Sequence, residues 1–200
     1  MDIIIASKNK HKIQEINEIL EGTDFKCIPS PVDYDDVEEN GKTFEENSSI
    51  KSNYLSHLLP EAIVIADDSG IEVDALNKLP GIYSARYAGV HGNDKENNKK
   101  LLKDMEGKTD RTCRFVCVIS LSKNGQTIKT FRGTVEGTLG FEEKGNNGFG
   151  YDPLFVLPNG KTTAELLNHE KNKISHRYNA LVLMKKFLLE NKIWRNFTSY

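Results

Sequence analysis

Two adjacent carboxylates and a hydroxyl follow a short apolar run in the first half of the chain. Asp67, Asp68 and Ser69 come directly after residues 62–66, which are all apolar. Such a run predicts a buried β-strand, and ligands bind at strand ends in α/β sheets. Paired carboxylates suit Mg²⁺, which prefers hard oxygen ligands and keeps waters and substrate phosphates in its other positions. These residues are also typical of a plain turn, so this segment alone leaves both interpretations open.

A basic turn joins the first predicted strand, residues 2–6, to the first predicted helix, residues 9–20. Its polar side chains are those of Ser7, Lys8, Asn9, Lys10, His11 and Lys12. Unpaired backbone N–H groups and the helix dipole favour an anion at a helix N-terminus, so this turn predicts a phosphate site. The glycines of a Walker loop are missing. A capped helix with solvated lysines explains the same pattern equally simply.

Glutamates flank the start of a helix predicted at residues 43–59. Glu39 precedes this helix, Glu46 lies in its first turn, and Lys51 follows one turn later. Carboxylates here could bind a metal, but Thr43 and Glu46 also form a capping-box pattern. Both explanations stay open for Glu46.

An aromatic ring lies between two glycines in the segment Gly148, Phe149, Gly150, Tyr151 and Asp152. Glycines let a backbone approach a ligand closely, and an exposed ring can stack on a flat base. A turn that packs its phenylalanine into the core is the alternative. Further along, Lys171 precedes the pair His176 and Arg177, which opens the last predicted helix and has no evident structural purpose.

Composition excludes several classes of function. The 200 residues contain 27 Lys plus Arg and 29 Asp plus Glu, a formal charge of -2. This balance argues against a nucleic-acid surface, which needs a basic excess. Cys27, Cys113 and Cys117 lack zinc-like spacing and indicate reduced thiols. No stretch approaches the roughly 20 apolar residues of a membrane span, and no leader pattern opens the chain. We therefore expect a cytoplasmic protein with neither membrane nor nucleic-acid partner.

The order of elements predicts a mixed α/β fold. Strands are predicted at residues 2–6, 25–29, 62–66, 111–122, 126–139 and 154–157, and helices at residues 9–20, 43–59, 94–105 and 175–190. Asn124-Gly125 is a strong hairpin signal between the two long strands. Residues 71–92, rich in glycine and proline punctuation, are predicted to be irregular. We expect one α/β domain over residues 1–200, with a mixed sheet flanked by helices and a long antiparallel hairpin.

Taken together, the motifs resemble those of the inosine triphosphate pyrophosphatase family, from Ile3 to about Leu183. The matching blocks are Ser7-x-Asn9-x-x-Lys12, Glu39-x-Gly41-x-Thr43-Phe44-x-Glu46-Asn47, Ala66-Asp67-Asp68-Ser69-Gly70-Ile71, Pro80-Gly81-Ile82-Tyr83-Ser84-Ala85-Arg86-Tyr87, Gly148-Phe149-Gly150-Tyr151-Asp152-Pro153 and Ser175-His176-Arg177-x-x-Ala180-Leu181. Several blocks in this order, at matching separations, are highly specific. Two departures are Ser7, where the family commonly has Thr, and Lys173, where a small residue is usual.

The resemblance implies a fold of two lobes around a central cleft and a nucleoside-triphosphate pyrophosphatase. Family members use Mg²⁺ to hydrolyse non-canonical purine nucleoside triphosphates, namely inosine, deoxyinosine and xanthosine triphosphate. The products are the nucleoside monophosphate and pyrophosphate, so the activity cleanses the nucleotide pool. Members are commonly homodimers, and we expect a homodimer here on that basis.

The resemblance also implies roles for particular residues. Asp68 corresponds to the proton acceptor and a metal contact, Glu39 to a second metal contact, and Asp67 and Glu46 to weaker metal candidates. The phosphate and sugar contacts would come from Ser7, Lys8, Asn9, Lys10, His11, Lys12, Lys51, Ser69 and Arg86. The base contacts would come from Phe149, Gly150, Tyr151, Asp152, Lys171, His176 and Arg177. Donors on His176 and Arg177 would match O6 of hypoxanthine or xanthine.

Two rival functions remain compatible with the motifs. One is a metal-dependent phosphatase or nucleotidyl hydrolase that acts on a pyrimidine or canonical nucleotide. The other is a nucleotide-sensing or RNA-binding module that uses the basic turn and the segment of residues 148–152, called here the aromatic loop. Such a module has no need for carboxylates at Glu39 and Asp68, and the net charge of -2 argues against an RNA surface.

Overall fold

The computed structural model describes residues 1–191, which form a mixed α/β fold. In chain order the elements are β1 (Asp2–Ile5), α1 (Lys10–Leu20), β2 (Lys26–Pro29), α2 (Phe44–Leu58), β3 (Val64–Val73), α3 (Asp94–Asp104), β4 (Thr112–Lys123), β5 (Gln126–Leu139), β6 (Phe155–Val156), α4 (Asn168–Lys171) and α5 (His176–Glu190). The strands form one sheet in the order β2-β1-β3-β4-β5-β6. β1 pairs in parallel with β2 and β3, whereas β5 pairs antiparallel with β6. The predicted mixed α/β class is confirmed.

The described chain divides into two compact units. Unit 1 comprises Met1–Asp68, Cys117–Gly133 and the chain from Arg177 onward, and unit 2 comprises Ser69–Val116 and Thr134–His176. The single domain expected over residues 1–200 stays a prediction.

The core of unit 1 is built on both faces of β1. Ile3 and Ile5 belong to a cluster with residues of α1 and α5, whereas Ile4 and Ala6 belong to a second cluster that includes Leu55 of α2. Successive side chains of a strand point to opposite faces, so an unbroken apolar run is what a strand buried on both sides requires. Helices therefore cover the parallel part of the sheet in unit 1.

Unit 2 has an apolar core of its own. Ile71 and Val73 at the end of β3 cluster with Leu101 of α3, with Met105 directly after α3 and with Phe155 of β6. All five side chains are almost fully buried. This core anchors α3, a helix whose polar side chains become important below.

β3 is longer than the sequence indicated. It runs from Val64 to Val73 and so contains Asp67 and Asp68, and the prediction that these carboxylates follow the end of the strand is wrong. The strand continues because Ile71 and Val73 are buried beyond them. Gly70 allows this continuation, since a Cβ there would lie 2.3 Å from Ser84 Oγ. The irregular segment predicted from residue 71 therefore begins only after Val73, with short 3₁₀ turns at Asp74–Leu76 and Gly81–Arg86.

The hairpin prediction is confirmed. Asn124 and Gly125 connect β4 to β5 with φ angles of 49° and 74°, the left-handed conformation that a type I′ turn needs at both positions. Among residues 1–191, no helix has both the length and the apolar content that a membrane crossing demands.

Because all three cysteines are buried, we expect the protein to lose stability at alkaline pH. Burial raises the pKa of Cys27, Cys113 and Cys117 to about 12, so an unfolded thiol ionises first as the pH rises above about 9. From about pH 9 to 12, each thiol should therefore lower the free energy of unfolding by ~1.4 kcal/mol per pH unit. Urea unfolding at several pH values measures this slope. In the Cys113→Ala variant, the free energy of unfolding should fall less steeply with pH, by the contribution of one thiol. Identical slopes for the variant and the unchanged protein would contradict the raised pKa of Cys113.

Candidate functional site

The start of α1 is capped by the polar residues of the basic turn. Asn9 Oδ1 accepts hydrogen bonds from the backbone N–H groups of His11 at 3.0 Å and Lys12 at 3.3 Å. Ser7 Oγ accepts from Asn9 N at 3.2 Å. Ser7 and Asn9 thus have the capping role that the alternative explanation required. Lys8 pairs with Asp36 at 2.8 Å on the surface, and Lys10 and His11 are exposed.

Lys12, in contrast, points to a buried charge cluster in unit 1. Asp67 Oδ2 lies 3.1 Å from Lys12 Nζ and accepts from Arg177 Nη2 at 3.0 Å. Arg177 Nη1 donates to Glu15 Oε2 at 2.5 Å. Glu15, Asp67 and Arg177 are 6 %, 2 % and 1 % exposed. Two cations and two carboxylates therefore compensate one another inside the protein, as buried charges must.

The cluster keeps Asp67 ionised. Burial by itself would raise the pKa of the Asp67 carboxyl, but the positive charges of Lys12 and Arg177 hold that pKa well below its usual range. Sequence reasoning missed Glu15. Its spacing of three residues from Lys12, next to the buried Ile16 on the same helix, is the signal that could have identified it.

Lys51 connects the other predicted acids. Its Nζ lies 3.2 Å from Glu39 Oε1 and 3.9 Å from Asp68 Oδ1, and it donates to the backbone oxygen of Asp67 at 2.9 Å. Glu39 and Asp68, from a loop and from β3, are thus brought to one ammonium group. Burial raises the pKa of Asp68 to about 6, although Lys51 and Lys12 oppose that rise. Asp68 is consequently more basic than an ordinary aspartate.

Glu46 has a local structural contact. Thr43 Oγ1 accepts from Glu46 N at 3.1 Å, which caps α2. The Glu46 carboxylate accepts from the backbone of Lys42 at 2.6 Å, one residue earlier than a standard capping box. The metal contact suggested for Glu46 stays a prediction.

In unit 2, Asp152 organises the aromatic loop. Its Oδ2 accepts from Phe149 N at 2.9 Å and from Lys171 Nζ at 3.0 Å, and its Oδ1 accepts from Thr163 Oγ1 at 2.8 Å. A Cβ at residue 148, where φ is +77°, would lie 2.0 Å from the same Oδ2, so only glycine fits there. Lys171 Nζ lies 5.0 Å from the centre of the Phe149 ring.

A pocket in unit 2 brings together several predicted base contacts. It is lined by Phe115, Val135, Asp152, Leu157, Thr163, Lys171, Ile174, Ser175 and His176. The ring of His176 stacks on Phe115 with 4.9 Å between centroids, and Phe115 stacks in turn on Phe155. Sequence reasoning missed Phe115 and Thr163, because an aromatic and a threonine near the core carry no distinguishing local pattern.

The remaining predicted residues of unit 2 lie elsewhere. Tyr151 is buried and its hydroxyl donates to Ser84 O at 2.7 Å, so it packs inside rather than lining the pocket. Arg86 Cζ lies 5.3 Å from the ring of Tyr83. Ser69 is half-buried in β3.

The carboxylates suit a hard divalent cation that is shared with a phosphate. Among residues 1–191, no three His, Cys, Asp or Glu side chains form a ready-made metal cage. Asp67 Oδ1 is buried and accepts no hydrogen bond from these residues. Glu39 and Asp68 are the two carboxylates that lie beside Lys51. A cation bound between them would therefore have two protein ligands. Mg²⁺ needs only one or two carboxylates when phosphate oxygens and waters complete its shell, so the donor set fits it.

Comparison with known proteins identifies relatives over nearly the whole chain. The model of the Ham1 family matches residues 3–187. A protein of Staphylococcus epidermidis named dITP/XTP pyrophosphatase is 50% identical over 188 residues, which cover 94% of this chain and 96% of that protein. One of the same name from Bacillus licheniformis is 48% identical over 192 residues, with coverages of 94% and 97%.

Solved structures of Ham1 proteins are similar to this chain as well. The Ham1 protein of Staphylococcus aureus superposes with a TM-score of 0.85 at 47% identity, covering 96% of this chain and 100% of that chain. A HAM1 protein from Coxiella burnetii gives a TM-score of 0.87 at 40% identity, with coverages of 95% and 99%. With its sequence, its fold and the order of its motifs all in agreement, this chain belongs to the Ham1 family.

Proposed function

We propose that this protein is an enzyme that hydrolyses non-canonical purine nucleoside triphosphates to the monophosphate and pyrophosphate. The observation that carries the proposal is Asp68, a buried carboxyl with a pKa raised to about 6, which lies beside Lys51. The relatives named dITP/XTP pyrophosphatase support inosine, deoxyinosine and xanthosine triphosphates as the substrates.

The different environments of Asp67 and Asp68 support Asp68 as the proton acceptor. Asp67 is held ionised by Lys12 and Arg177, and a carboxylate with so low a pKa is a poor base. The raised pKa of Asp68 leaves it mostly deprotonated at neutral pH, yet basic enough to take a proton from water. Neighbouring carboxyls whose pKa values are driven apart commonly divide their roles in this way.

The basic residues of unit 1 would hold the polyphosphate. A triphosphate carries about four negative charges, so its hydrolysis depends mainly on positioning and on charge neutralisation. Lys12 and Lys51 lie beside the carboxylates, and Lys8 and Lys10 are exposed at the start of α1. In this proposal Lys12 and Lys51 orient the phosphates toward Asp68.

Glu39 and Asp68 would hold Mg²⁺, with Asp67 and Glu46 as weaker contacts. When bound, the ion would neutralise charge on the phosphate oxygens as a Lewis acid. Lys51 keeps Glu39 and Asp68 close to one another through its contacts at 3.2 and 3.9 Å. The protein's own part is therefore to hold two carboxylates ready without enclosing the cation.

The pocket of unit 2 would recognise the base. Hypoxanthine and xanthine carry an acceptor at position 6, where adenine carries an amino donor. The Lys171 ammonium has N–H groups beyond the one that donates to Asp152. One of these, and a donor on His176, would match O6 and would meet the amino group of adenine as donor against donor, a mismatch that sites of this kind reject strongly. Arg177 is the weakest of the proposed base contacts, because its guanidinium already donates to Glu15 and Asp67.

Assembly and location complete the proposal. We expect a homodimer in the cytoplasm. Light scattering coupled to size-exclusion chromatography measures the assembly, and cell fractionation measures the location. A monomer at micromolar concentration would contradict the expected dimer without affecting the proposed reaction.

A panel of triphosphates tests the function directly. With Mg²⁺ present, inosine, deoxyinosine and xanthosine triphosphates should release pyrophosphate with kcat/KM at least about 100-fold above that for ATP, CTP and UTP. Release of orthophosphate, or a preference for a canonical nucleotide, would favour the rival hydrolase. Absence of any metal-dependent hydrolysis would favour a binding module.

Glu39→Gln should raise the Mg²⁺ requirement of the reaction. The amide is a weaker ligand than a carboxylate, so the Mg²⁺ concentration for half-maximal rate should rise at least about ten-fold. Removal of divalent ions with EDTA should abolish turnover of the unchanged protein. The exposed neighbour Glu38 provides the matched control: Glu38→Gln should leave the Mg²⁺ titration unaltered. Equal curves for both variants would exclude Glu39 as a contact.

A further inference from the structure

The first turns of α3 hold two separate turns of unit 2. Asn97 Oδ1 accepts from Ala88 N at 2.8 Å, and its Nδ2 donates to Ala85 O at 3.3 Å. These bonds fix the turn that contains Arg86. Asn97 is 1 % exposed, so its amide is committed to this structural task.

The same helix holds Gly150 from both sides of its backbone. Asp94 Oδ2 accepts from Gly150 N at 2.7 Å, and Asn98 Nδ2 donates to Gly150 O at 3.1 Å. Residues four apart lie on one face of a helix, which is why Asp94 and Asn98 can reach the same residue. Both polar backbone groups of Gly150 are therefore bound by one rigid element.

These bonds restrict the backbone at a glycine, the residue type with the greatest conformational freedom. Gly150 has a φ of +63°, a conformation that glycine reaches without preferring it. The adjacent Phe149 is tied through its own N–H to Asp152. Leu101 packs α3 into the core of unit 2. The hydrogen bonds from Asp94 and Asn98 therefore hold the aromatic loop in a fixed position relative to that core.

We propose that Asp94 and Asn98 are positioning residues. By holding Gly150, they fix the orientation of the neighbouring Phe149 ring, which stacks on the purine of the substrate. This inference rests on the proposed function and on the prediction from the sequence that the ring of Phe149 stacks on the base of the substrate. Neither residue touches the substrate in this proposal. Stacking does not depend on the identity of the base, so loosening the loop weakens binding of all purine substrates equally.

Two substitutions at Asp94 separate this role from a helix-dipole effect. Asp94→Asn keeps an oxygen that can accept from Gly150 N, whereas Asp94→Ala removes it; both remove the charge that favours a helix N-terminus. Asp94→Ala should raise KM for inosine and xanthosine triphosphates about ten-fold with kcat changed less than about two-fold, and Asp94→Asn should stay close to the unchanged protein. Asn98→Ala should behave like Asp94→Ala. Glu96→Ala, on the exposed side of α3, is the control and should change nothing.

Binding of inosine monophosphate, measured by calorimetry without a metal, provides a readout independent of catalysis. The dissociation constant should rise about ten-fold for Asp94→Ala and remain near the original value for Asp94→Asn. Equal effects of both substitutions, or a fall in kcat at constant KM, would overturn the inference. If the unchanged protein binds this nucleotide but releases no pyrophosphate, the proposed function fails, while the Asp94 pair still decides the positioning role. Absence of binding by the unchanged protein would overturn the inference as well.

Discussion

Asp68→Asn should lower the rate of pyrophosphate release from inosine triphosphate by about 10²–10⁴-fold, the range expected when a general base is removed. The amide has nearly the same shape as the carboxyl but cannot accept a proton from water. Steady-state kinetics with saturating Mg²⁺ measures the loss in kcat. Because the substitution also removes a proposed metal contact, the loss should persist when Mg²⁺ is raised further.

The same variant should remain as stable as the unchanged protein. Burial raises the pKa of Asp68, which means that the folded protein holds this carboxylate at a cost when it is ionised at neutral pH. A neutral amide relieves that cost, so the melting temperature should not fall. Asp36→Asn, at a side chain that is 85% exposed, is the matched control for charge. Full activity of Asp68→Asn would refute the proposed role, and loss of both fold and activity would mark Asp68 as structural.

Arg177→Ala should lower the free energy of unfolding by about 3–5 kcal/mol, the usual loss when one partner of a buried ion pair is removed. The guanidinium is the shared partner of Glu15 and Asp67, which are both almost fully buried. Its removal takes away the cation that both buried carboxylates share, while Lys12 stays beside Asp67. Urea unfolding followed by circular dichroism measures the loss.

Arg132→Ala provides the comparison with an exposed pair. Arg132 lies 3.0 Å from Glu45, but both side chains are more than a third exposed, at 40% and 36%. Such pairs contribute about 0–1 kcal/mol, so this variant should unfold at nearly the original urea concentration. Similar losses for the two arginine variants would show that the cluster around Arg177 does not stabilise the fold as a buried pair.

Local sequence patterns predicted most elements of this fold. The apolar spacing of α1, the Thr43 cap of α2 and the Asn124-Gly125 turn each depend on neighbours a few residues away, and the structure has all three. The length of β3 could not be predicted in the same way. Two charged residues and a glycine inside a strand are acceptable only because of what packs around them, as the close approach of Ser84 to Gly70 shows.

For the candidate site too, the sequence indicated some features and only the fold showed the others. The order and spacing of its motifs indicated which residue types are present and which family they resemble. The partners of those residues came only from the fold: Arg177 meets Glu15 across 162 positions of sequence, and Asp94 meets Gly150 across 56. No local pattern encodes a contact of that range.

The sequence by itself therefore determined the family, the class of fold and the set of chemically capable side chains. Tertiary structure alone decided that Asp67 stays ionised while its neighbour Asp68 becomes more basic. The physical reason is that a pKa depends on burial and on charges within a few ångströms. For these two adjacent residues, the deciding charges include Lys12, Lys51 and Arg177, which folding brings to them from other parts of the chain.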